Sequence, residues 1–178
     1  MSQTTLDIKE PGLNVLPPGV ERHVVNAGGL TGLQIFPDDE IEIINDEGNQ
    51  ICEIVCFDKD GKSELGIINQ KENSNKSFIK DILKRKDESS LVTNLQLKKR
   101  NLDINKSKSS VLFDNKTPSG EKIKIKSKDK CYVIFSAPQN DMLVSEQNPS
   151  SDLTIFIKRA KIVNDKELSI IPDPVYEP

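Results

Sequence analysis

Cys52 and Cys56 stand four residues apart, a spacing that could chelate a metal ion on a helix. The residues around them, 51–57, form a mostly apolar run that predicts a strand instead. On a strand the two thiols share a face but lie about 13 Å apart, whereas zinc holds a sulfur ligand at about 2.3 Å. We therefore expect both thiols to be buried core groups, and we expect the same of Cys131, which begins another apolar run.

His23 is the single histidine, so a Ser-His-Asp or Cys-His site within this chain would have to use it. It follows a proline-rich lead-in, and no catalytic motif surrounds it. We predict no catalytic residue in the chain, and a catalytic His23 is the less favoured alternative.

Two further patterns are weak as site signals. Gly28-Gly29, followed by Gly32, could suggest a phosphate loop, but a strand rather than a helix is expected to follow it. Asp38-Asp39-Glu40 and Asp46-Glu47 lie at expected turns, where acidic residues are common for local reasons. We predict no ligand site and no metal site from either pattern.

Short strands separated by turns are expected along most of the chain. Ile41 and Ile43 alternate with Glu40 and Glu42, the sequence Asp46-Glu47-Gly48-Asn49 predicts a turn, and residues 51–57 return as a strand. We interpret residues 38–57 as a β-hairpin. A total of about seven to nine short strands predicts a mainly β fold, either a sandwich or a barrel. The other expected strands are residues 21–25, 30–36, 111–113, 121–126, 131–135 and 153–157.

A helical hairpin over about 74–103 interrupts the strands and is expected to cover one end of the β structure. Ser74 or Ser77 can cap a first helix that runs to about Lys86, and Ser89 or Ser90 can cap a second helix. The expected apolar faces are Phe78, Ile79, Ile82 and Leu83 on the first helix, and Leu91, Leu95 and Leu102 on the second.

The remaining organisation is simple. Residues 1–20 predict an extended lead-in because prolines and glycines leave no room for a helix. We expect residues 21–162 to form one β-rich domain, and the Pro-rich residues 163–178 are typical of a linker or tail.

Charge is distributed unevenly. Residues 61–130 hold 18 basic and 9 acidic groups, against 3 and 12 in residues 1–60. The cations are 21 Lys and 4 Arg, and aromatic residues make up 4% of the chain. Proteins that read nucleic-acid sequence rely on Arg side chains and stacking aromatic rings, so we expect a solvated Lys-rich face and no nucleic-acid partner.

The sequence also predicts where the chain is found. With no apolar run of about 20 residues, no secretory signal and three cysteines, it predicts a cytosolic chain with reduced thiols and no membrane partner.

The sequence Asp38-Asp39-Glu40-Ile41-Glu42-Ile43-Ile44-Asn45-Asp46-Glu47-Gly48-Asn49-Gln50-Ile51-Cys52-Glu53-Ile54-Val55-Cys56-Phe57 resembles a motif of the urea-carboxylase-associated domain family. That family also forms the N-terminal half of trimethylamine-N-oxide demethylases, which are fused to a glycine-cleavage T-protein-like aminomethyltransferase domain. Further matching segments follow in the expected order through residues 15–162, and they include Leu16-Pro17-Pro18-Gly19, Gly28-Gly29-Leu30, Pro118-Ser119-Gly120-Glu121, Val133-Ile134-Phe135-Ser136-Ala137-Pro138, Ser151-Asp152-Leu153 and Lys158-Arg159-Ala160.

The resemblance implies that catalysis lies elsewhere in such an enzyme. A Cys-rich metal-binding module would cleave the N-oxide to dimethylamine and formaldehyde, and tetrahydrofolate on the T-protein-like domain would take up the one-carbon unit. Zinc, iron and tetrahydrofolate therefore belong to the resembled parent, and no cofactor is expected in this chain. Gln50 and Glu53 match the Gln and the acid of the motif, so they are the candidate binding residues. The Cys/His segment of the metal module is missing, since residues 70–110 hold Lys-rich helices instead.

Two hypotheses follow. In the first, the chain is a non-catalytic accessory domain that packs against the metal-binding module and the T-protein-like domain, and it could also form a homo-oligomer. In the second, it is a stand-alone small-molecule-binding β-barrel protein whose polar groups are Gln50, Glu53 and His23. A weaker third hypothesis is polyanion binding driven by lysines.

Overall fold

The computed structural model describes residues 16–74, 77–139 and 149–161. The described residues form eight strands, two α-helices and two short 3-10 turns, so the prediction of a mainly β fold is confirmed. The strands are β1 (Val20–Val25), β2 (Leu30–Ile35), β3 (Glu40–Asn45), β4 (Cys52–Asp58), β5 (Ser109–Leu112), β6 (Glu121–Lys126), β7 (Cys131–Ser136) and β8 (Leu153–Lys158). The helices are α1 (Phe78–Leu83) and α2 (Glu88–Lys99), and the 3-10 turns span Leu65–Ile68 and Ile104–Lys106.

The strands form two antiparallel four-stranded sheets, with orders β1-β8-β3-β6 and β2-β7-β4-β5. Strands β1 to β4 pair in reverse order with β5 to β8, as β1–β8, β2–β7, β3–β6 and β4–β5. This is the pairing of one long hairpin whose two arms meet between β4 and β5. Rolling that hairpin up stacks its alternate pairs into two sheets, which is the jelly-roll form of the β-sandwich. Of the two predicted alternatives, a sandwich or a barrel, the structure is the sandwich. The helices lie in the middle of the rolled hairpin, between β4 and β5.

The predicted hairpin over residues 38–57 is wrong, because β3 and β4 belong to different sheets. The chain between them arches across the sandwich, and the Asn45 side-chain amide fastens the arch by donating to the Gln50 carbonyl at 2.7 Å. Gly48 turns the arch with φ +80°, and a Cβ there would lie 2.7 Å from the Thr117 carbonyl oxygen. The alternation of apolar residues is the same for a hairpin and an arch, because it reports a buried face and not the partner strand.

The space between the sheets is filled by apolar side chains. Inward-facing residues of both sheets form one buried cluster, whose largest members include Ile35, Ile41, Ile43, Ile54, Phe135, Leu153 and Ile155. Burying so many branched side chains in one continuous core is the main source of stability for such a domain.

The helical hairpin covers the outer face of the β2-β7-β4-β5 sheet. A second buried cluster joins that face to the helices and contains Leu30, Val55, Phe57, Ile79, Ile82, Leu83, Leu97, Tyr132 and Ile134. The sequence predicted that the helices cover one end of the β structure. This prediction is wrong, because they cover a face of the sandwich. This sheet is buried on both faces, which explains why β4 and β7 are mostly apolar and do not alternate between buried and exposed residues.

Both helices begin at side-chain caps. Ser77 caps α1, as one of the two predicted alternatives, and its Oγ accepts from the Lys80 backbone N–H at 3.3 Å. Helix α1 ends at Leu83, before the predicted Lys86. The predicted Ser89 or Ser90 cap of α2 is wrong, because Asp87 accepts from the Ser90 N–H at 2.9 Å.

The predicted apolar face of α2 is also wrong. Leu91 and Leu95 are exposed, whereas Leu97 is buried among the residues that cover the sheet. Two polar residues, Ser90 and Thr93, take buried positions on the same side, and Ser90 Oγ donates to the Ile82 carbonyl at 2.8 Å. The helix carries apolar residues on both sides, so the periodicity alone could not show which side meets the sheet.

The other sheet presents a charged outer face. Lys122, Lys124 and Lys126 project outward from β6 while Ile125 is buried, which confirms the predicted alternation. Glu42 on the neighbouring strand lies 3.9 Å from Lys122 and 3.7 Å from Lys124. The described part of the chain contains no helix that is long and apolar enough to cross a membrane. Most of the predicted lead-in, residues 1–15, and the predicted tail, residues 163–178, lie outside the described residues.

Candidate functional site

Gln50 ends the arch between β3 and β4, and its side chain is fully buried. Its Nε2 donates to the carbonyls of Ile51 and Pro138 at 2.8 Å, and its Oε1 accepts from the Ser151 N–H at 2.9 Å. One side chain thereby ties the arch to the chain that leaves β7 and to the chain that enters β8. Both N–H groups of the side-chain amide are hydrogen-bonded, so Gln50 has a structural role in which it holds these three segments together.

Glu53 lies on β4 with its side chain fully buried beneath the helices. Its Oε2 accepts from the Phe78 N–H at 2.6 Å, and its Oε1 accepts from the Ser77 hydroxyl at 3.3 Å. Burial raises the pKa of this carboxyl, and the hydrogen bonds from the backbone of Phe78 and Ile79 act in the opposite direction. The carboxylate meets the N–H groups that an α-helix leaves unpaired at its start.

The structure does not bring Gln50 and Glu53 together into one pocket. Within the described residues, their hydrogen-bond partners are separate sets, one at the end of the sandwich and one beneath α1. The binding role of the two residues stays a prediction.

The three cysteines are free thiols and are buried, as predicted. Cys52, Cys56 and Cys131 all belong to the apolar cluster between the sheets. Burial raises the pKa of Cys52 to about 12, which keeps this thiol protonated and unreactive at neutral pH. Cys131 Sγ lies 3.6 Å from Ser127 Oγ.

The described residues contain no group of three or more His, Cys, Asp or Glu side chains placed to hold a metal ion. The donors that this part of the chain offers therefore do not fit the zinc or iron of the resembled parent.

His23 belongs to a charged network at the rim of the sandwich, which the sequence did not reveal. Its Nε2 lies 3.2 Å from Glu21 Oε1, and Glu21 also pairs with Arg159. Arg159 donates to Asp39 at 2.7 Å and to the Gln34 carbonyl at 2.9 Å, although it is only 4% exposed. Asp39 in turn accepts from the backbone N–H groups of Phe36 and Ala160, so the network joins β1, β2, β3 and β8.

The network shifts the pKa of Glu21. Burial raises that pKa, but hydrogen bonds from His23 and Arg159 and the charge of Arg159 outweigh it and lower the value to about 2. The imidazole of His23 faces a carboxylate, while the thiols of the described residues lie in the core. A catalytic role of His23 stays the less favoured alternative.

A groove lies where the end of α2 meets the β2-β7-β4-β5 sheet. Arg100 follows the helix, and its guanidinium donates to Gln34 Oε1 at 2.7 Å and lies 4.6 Å from the centre of the Tyr132 ring. Lys59 and Lys130 also line the groove. The sequence offered no signal for it, since these residues are far apart along the chain and only the sheet order brings them together.

The fold and these sites define the class of protein: a jelly-roll sandwich with one face covered by helices, in which the predicted polar residues hold parts of the fold together. No family model matches the chain. Over 171 residues, or 96% of its length, the chain is 33% identical to the trimethylamine-oxide aldolase of Ruegeria pomeroyi.

The chain spans 22% of the length of that relative. The similarity supports the part of the predicted resemblance that concerns trimethylamine-N-oxide enzymes. The fusion to an aminomethyltransferase domain and the relation to the urea-carboxylase-associated family stay predictions.

Proposed function

We propose that this chain is a non-catalytic accessory domain of a trimethylamine-N-oxide demethylase-like enzyme that passes its one-carbon unit to tetrahydrofolate. The observation that carries the proposal is the similarity to trimethylamine-oxide aldolase, which extends over 96% of this chain but 22% of that protein. In this account the zinc, the iron and the folate are held by a separate metal-binding module and a T-protein-like domain.

The packing of the sandwich supports an accessory role. Jelly rolls that act on ligands use a cavity or mouth between their sheets, but here Ile54, Phe135, Ile155 and their neighbours fill that space. The two residues that match the family motif, Gln50 and Glu53, make hydrogen bonds that hold the arch and helix α1. These features are those expected of a copy of the metal-binding module that has kept its packing residues but lacks a set of metal-donor side chains.

Metal content tests this proposal. The 178-residue chain, produced with zinc and iron in the medium and then dialysed, is expected to retain well under one equivalent of either metal by elemental analysis. The aldolase of Ruegeria pomeroyi, prepared in parallel, is the comparison. A stoichiometric, tightly held metal in this chain would contradict the accessory role.

The groove beside Arg100 favours a second candidate function, the binding of a small molecule. Arg100, Lys59 and Lys130 outnumber the acidic Asp58 in the lining of a cleft that also contains the Tyr132 ring. This combination suits a ligand with a carboxylate and an aromatic group. A thermal-shift screen tests it, because a ligand of the folded state raises Tm. Folates carry carboxylates and aromatic rings and are the expected ligands, whereas methylated amines are cations and should produce no shift. The shift should disappear in Arg100→Met and persist in Lys116→Met, and silence across the panel argues against this function.

A further inference from the structure

Helix α2 carries an exposed apolar surface that the core does not use. Leu91, Val92 and Leu95 are 58%, 49% and 50% exposed. Within the described residues, every large apolar side chain that is exposed belongs to this helix. Apolar groups that cluster on one exposed helix face mark an interaction surface.

These residues form a continuous stripe with a charge at each end. At 100° per residue, Glu88, Leu91, Val92, Leu95 and Lys99 fall within about 60° of a common line along the helix. Glu88 and Lys99 are exposed, while Leu97 on the opposite side is buried against the sheet. We call Glu88, Leu91, Val92, Leu95 and Lys99 the α2 stripe.

The α2 stripe is complementary to itself when a second copy is turned around. An antiparallel pair of α2 helices, related by a two-fold axis midway between Val92 and Leu95, places Val92 of each copy opposite Leu95 of the other. The same operation places Glu88 of each copy opposite Lys99 of the other, because both residues lie about 8 Å from the axis along the helix. A closed two-fold interface of this kind needs a surface that matches itself in this way.

We propose that the α2 stripe is a homodimer interface, in which two copies of this domain pair through antiparallel α2 helices. The charge pattern selects the second copy and its orientation, since a parallel pair would place Glu88 against Glu88 and Lys99 against Lys99. Three half-exposed apolar side chains provide less than the roughly 800 Å² per partner of a standard interface, so the isolated domain forms a weak dimer with Kd on the order of 100 µM.

Sedimentation equilibrium of the 178-residue chain, from about 5 µM to about 1 mM, tests the proposal. The chain is expected to pass from monomer to dimer over this range. Leu95→Asp places a charge in the middle of the interface and should leave a monomer throughout. Because an exposed residue is changed, its circular dichroism spectrum and Tm should match those of the original chain.

Charge exchange makes the test specific to the antiparallel pair. Glu88→Lys alone and Lys99→Glu alone each set like charges opposite one another, so each should weaken dimerisation about tenfold. An equimolar mixture of the two variants should dimerise again, because every contact across the mixed pair then joins opposite charges. The double variant E88K/K99E should also dimerise, and Lys116→Glu, an exposed change of the same charge elsewhere, should have no effect.

Three results would overturn the proposal. The first is a chain that stays monomeric up to about 1 mM, which would leave the α2 stripe for a different partner. The second is dimerisation that E88K and K99E do not weaken, which would place the interface on another surface. The third is a mixture of folded E88K and K99E chains that stays monomeric.

Discussion

The Glu53 carboxylate accepts a hydrogen bond from the backbone N–H of Phe78 at 2.6 Å, and this bond joins strand β4 to the first turn of helix α1. The contact spans 25 residues of sequence, so a side chain of the sheet fixes where the helical hairpin begins. The residue that the family motif offers as a candidate ligand is therefore engaged with the fold of its own domain.

Loss of this carboxylate should destabilise the domain. Glu53→Ala leaves buried N–H groups of α1 without an acceptor, and we expect the free energy of unfolding to fall by about 2–3 kcal/mol. Glu53→Gln keeps one oxygen acceptor and should lose less than about 1 kcal/mol. Urea denaturation followed by circular dichroism measures both.

The control for this prediction is Glu121→Ala, which removes an exposed carboxylate and should change stability by less than about 0.5 kcal/mol. If Glu53→Ala lowered the free energy of unfolding no more than Glu121→Ala does, the carboxylate would not stabilise the helix. A binding role for Glu53 would then be favoured.

Arg159 should be among the most sensitive positions of the sandwich rim. It is 4% exposed and pairs with Asp39, which is 1% exposed, so Arg159→Ala leaves a buried carboxylate without its partner. We expect a loss of about 3–5 kcal/mol in the free energy of unfolding. Arg159→Lys keeps the charge but not the planar fork that bonds Asp39 and Glu21 together, so it should recover only part of the loss.

A matched surface pair provides the comparison for Arg159. Lys124 lies 3.7 Å from Glu42 and is 79% exposed, so Lys124→Ala should cost no more than about 0.5 kcal/mol. If Arg159→Ala and Lys124→Ala lowered the free energy of unfolding equally, burial of the Arg159 network would contribute nothing to stability.

Acid should weaken the domain through Glu21. Its pKa is lowered from the ordinary value of 4.5 to about 2 in the folded chain, so the unfolded chain takes up a proton at a higher pH than the folded chain does. The stability that Glu21 contributes is therefore complete above pH 4.5 and is lost as the pH falls from 4.5 towards 2.

Glu21→Gln removes this titrating group. The difference in free energy of unfolding between the original chain and this variant should shrink as the pH falls through that range, as measured by urea titrations at a series of pH values. A difference that stayed constant with pH would contradict the assigned shift.

Gly32 is required because the Tyr132 ring lies across it. A Cβ at Gly32 would lie 1.9 Å from the Tyr132 hydroxyl oxygen, which is buried. Gly32→Ala should therefore cost about 1–3 kcal/mol through overpacking. Tyr132→Phe removes the nearest clashing atom but keeps the ring carbon Cζ, 2.6 Å from that Cβ, so the double variant should recover part of the stability lost in Gly32→Ala. Thermal denaturation of the four chains completes the cycle. Additive effects would mean that the two residues do not meet as described.

Local patterns in the sequence were sufficient for the strands but not for their partners. The alternation of Ile41 and Ile43 with acidic residues located β3, and the apolar run from Cys52 located β4. The two strands pair with β6, β8, β5 and β7 instead of with each other, and such long-range pairing leaves no trace in the period of the pattern.

At the candidate site, too, the sequence indicated the residues but not their partners. The motif match pointed to Gln50 and Glu53, and both prove to be buried polar residues with specific partners. The partners Ser151 and Phe78 could not be predicted, because they come from parts of the chain that only the folded arrangement brings near. The Arg159 network was missed for the same reason, since Asp39 and Glu21 are ordinary turn and strand residues until β8 is placed beside them.

The most direct test of the accessory role is turnover of trimethylamine N-oxide by this chain alone. The purified chain is incubated with trimethylamine N-oxide, zinc, iron and tetrahydrofolate, and formaldehyde and dimethylamine are measured against the Ruegeria pomeroyi aldolase as a positive control. We expect no product above the protein-free blank. Catalytic formation of both products, in proportion to the concentration of the chain, would contradict it.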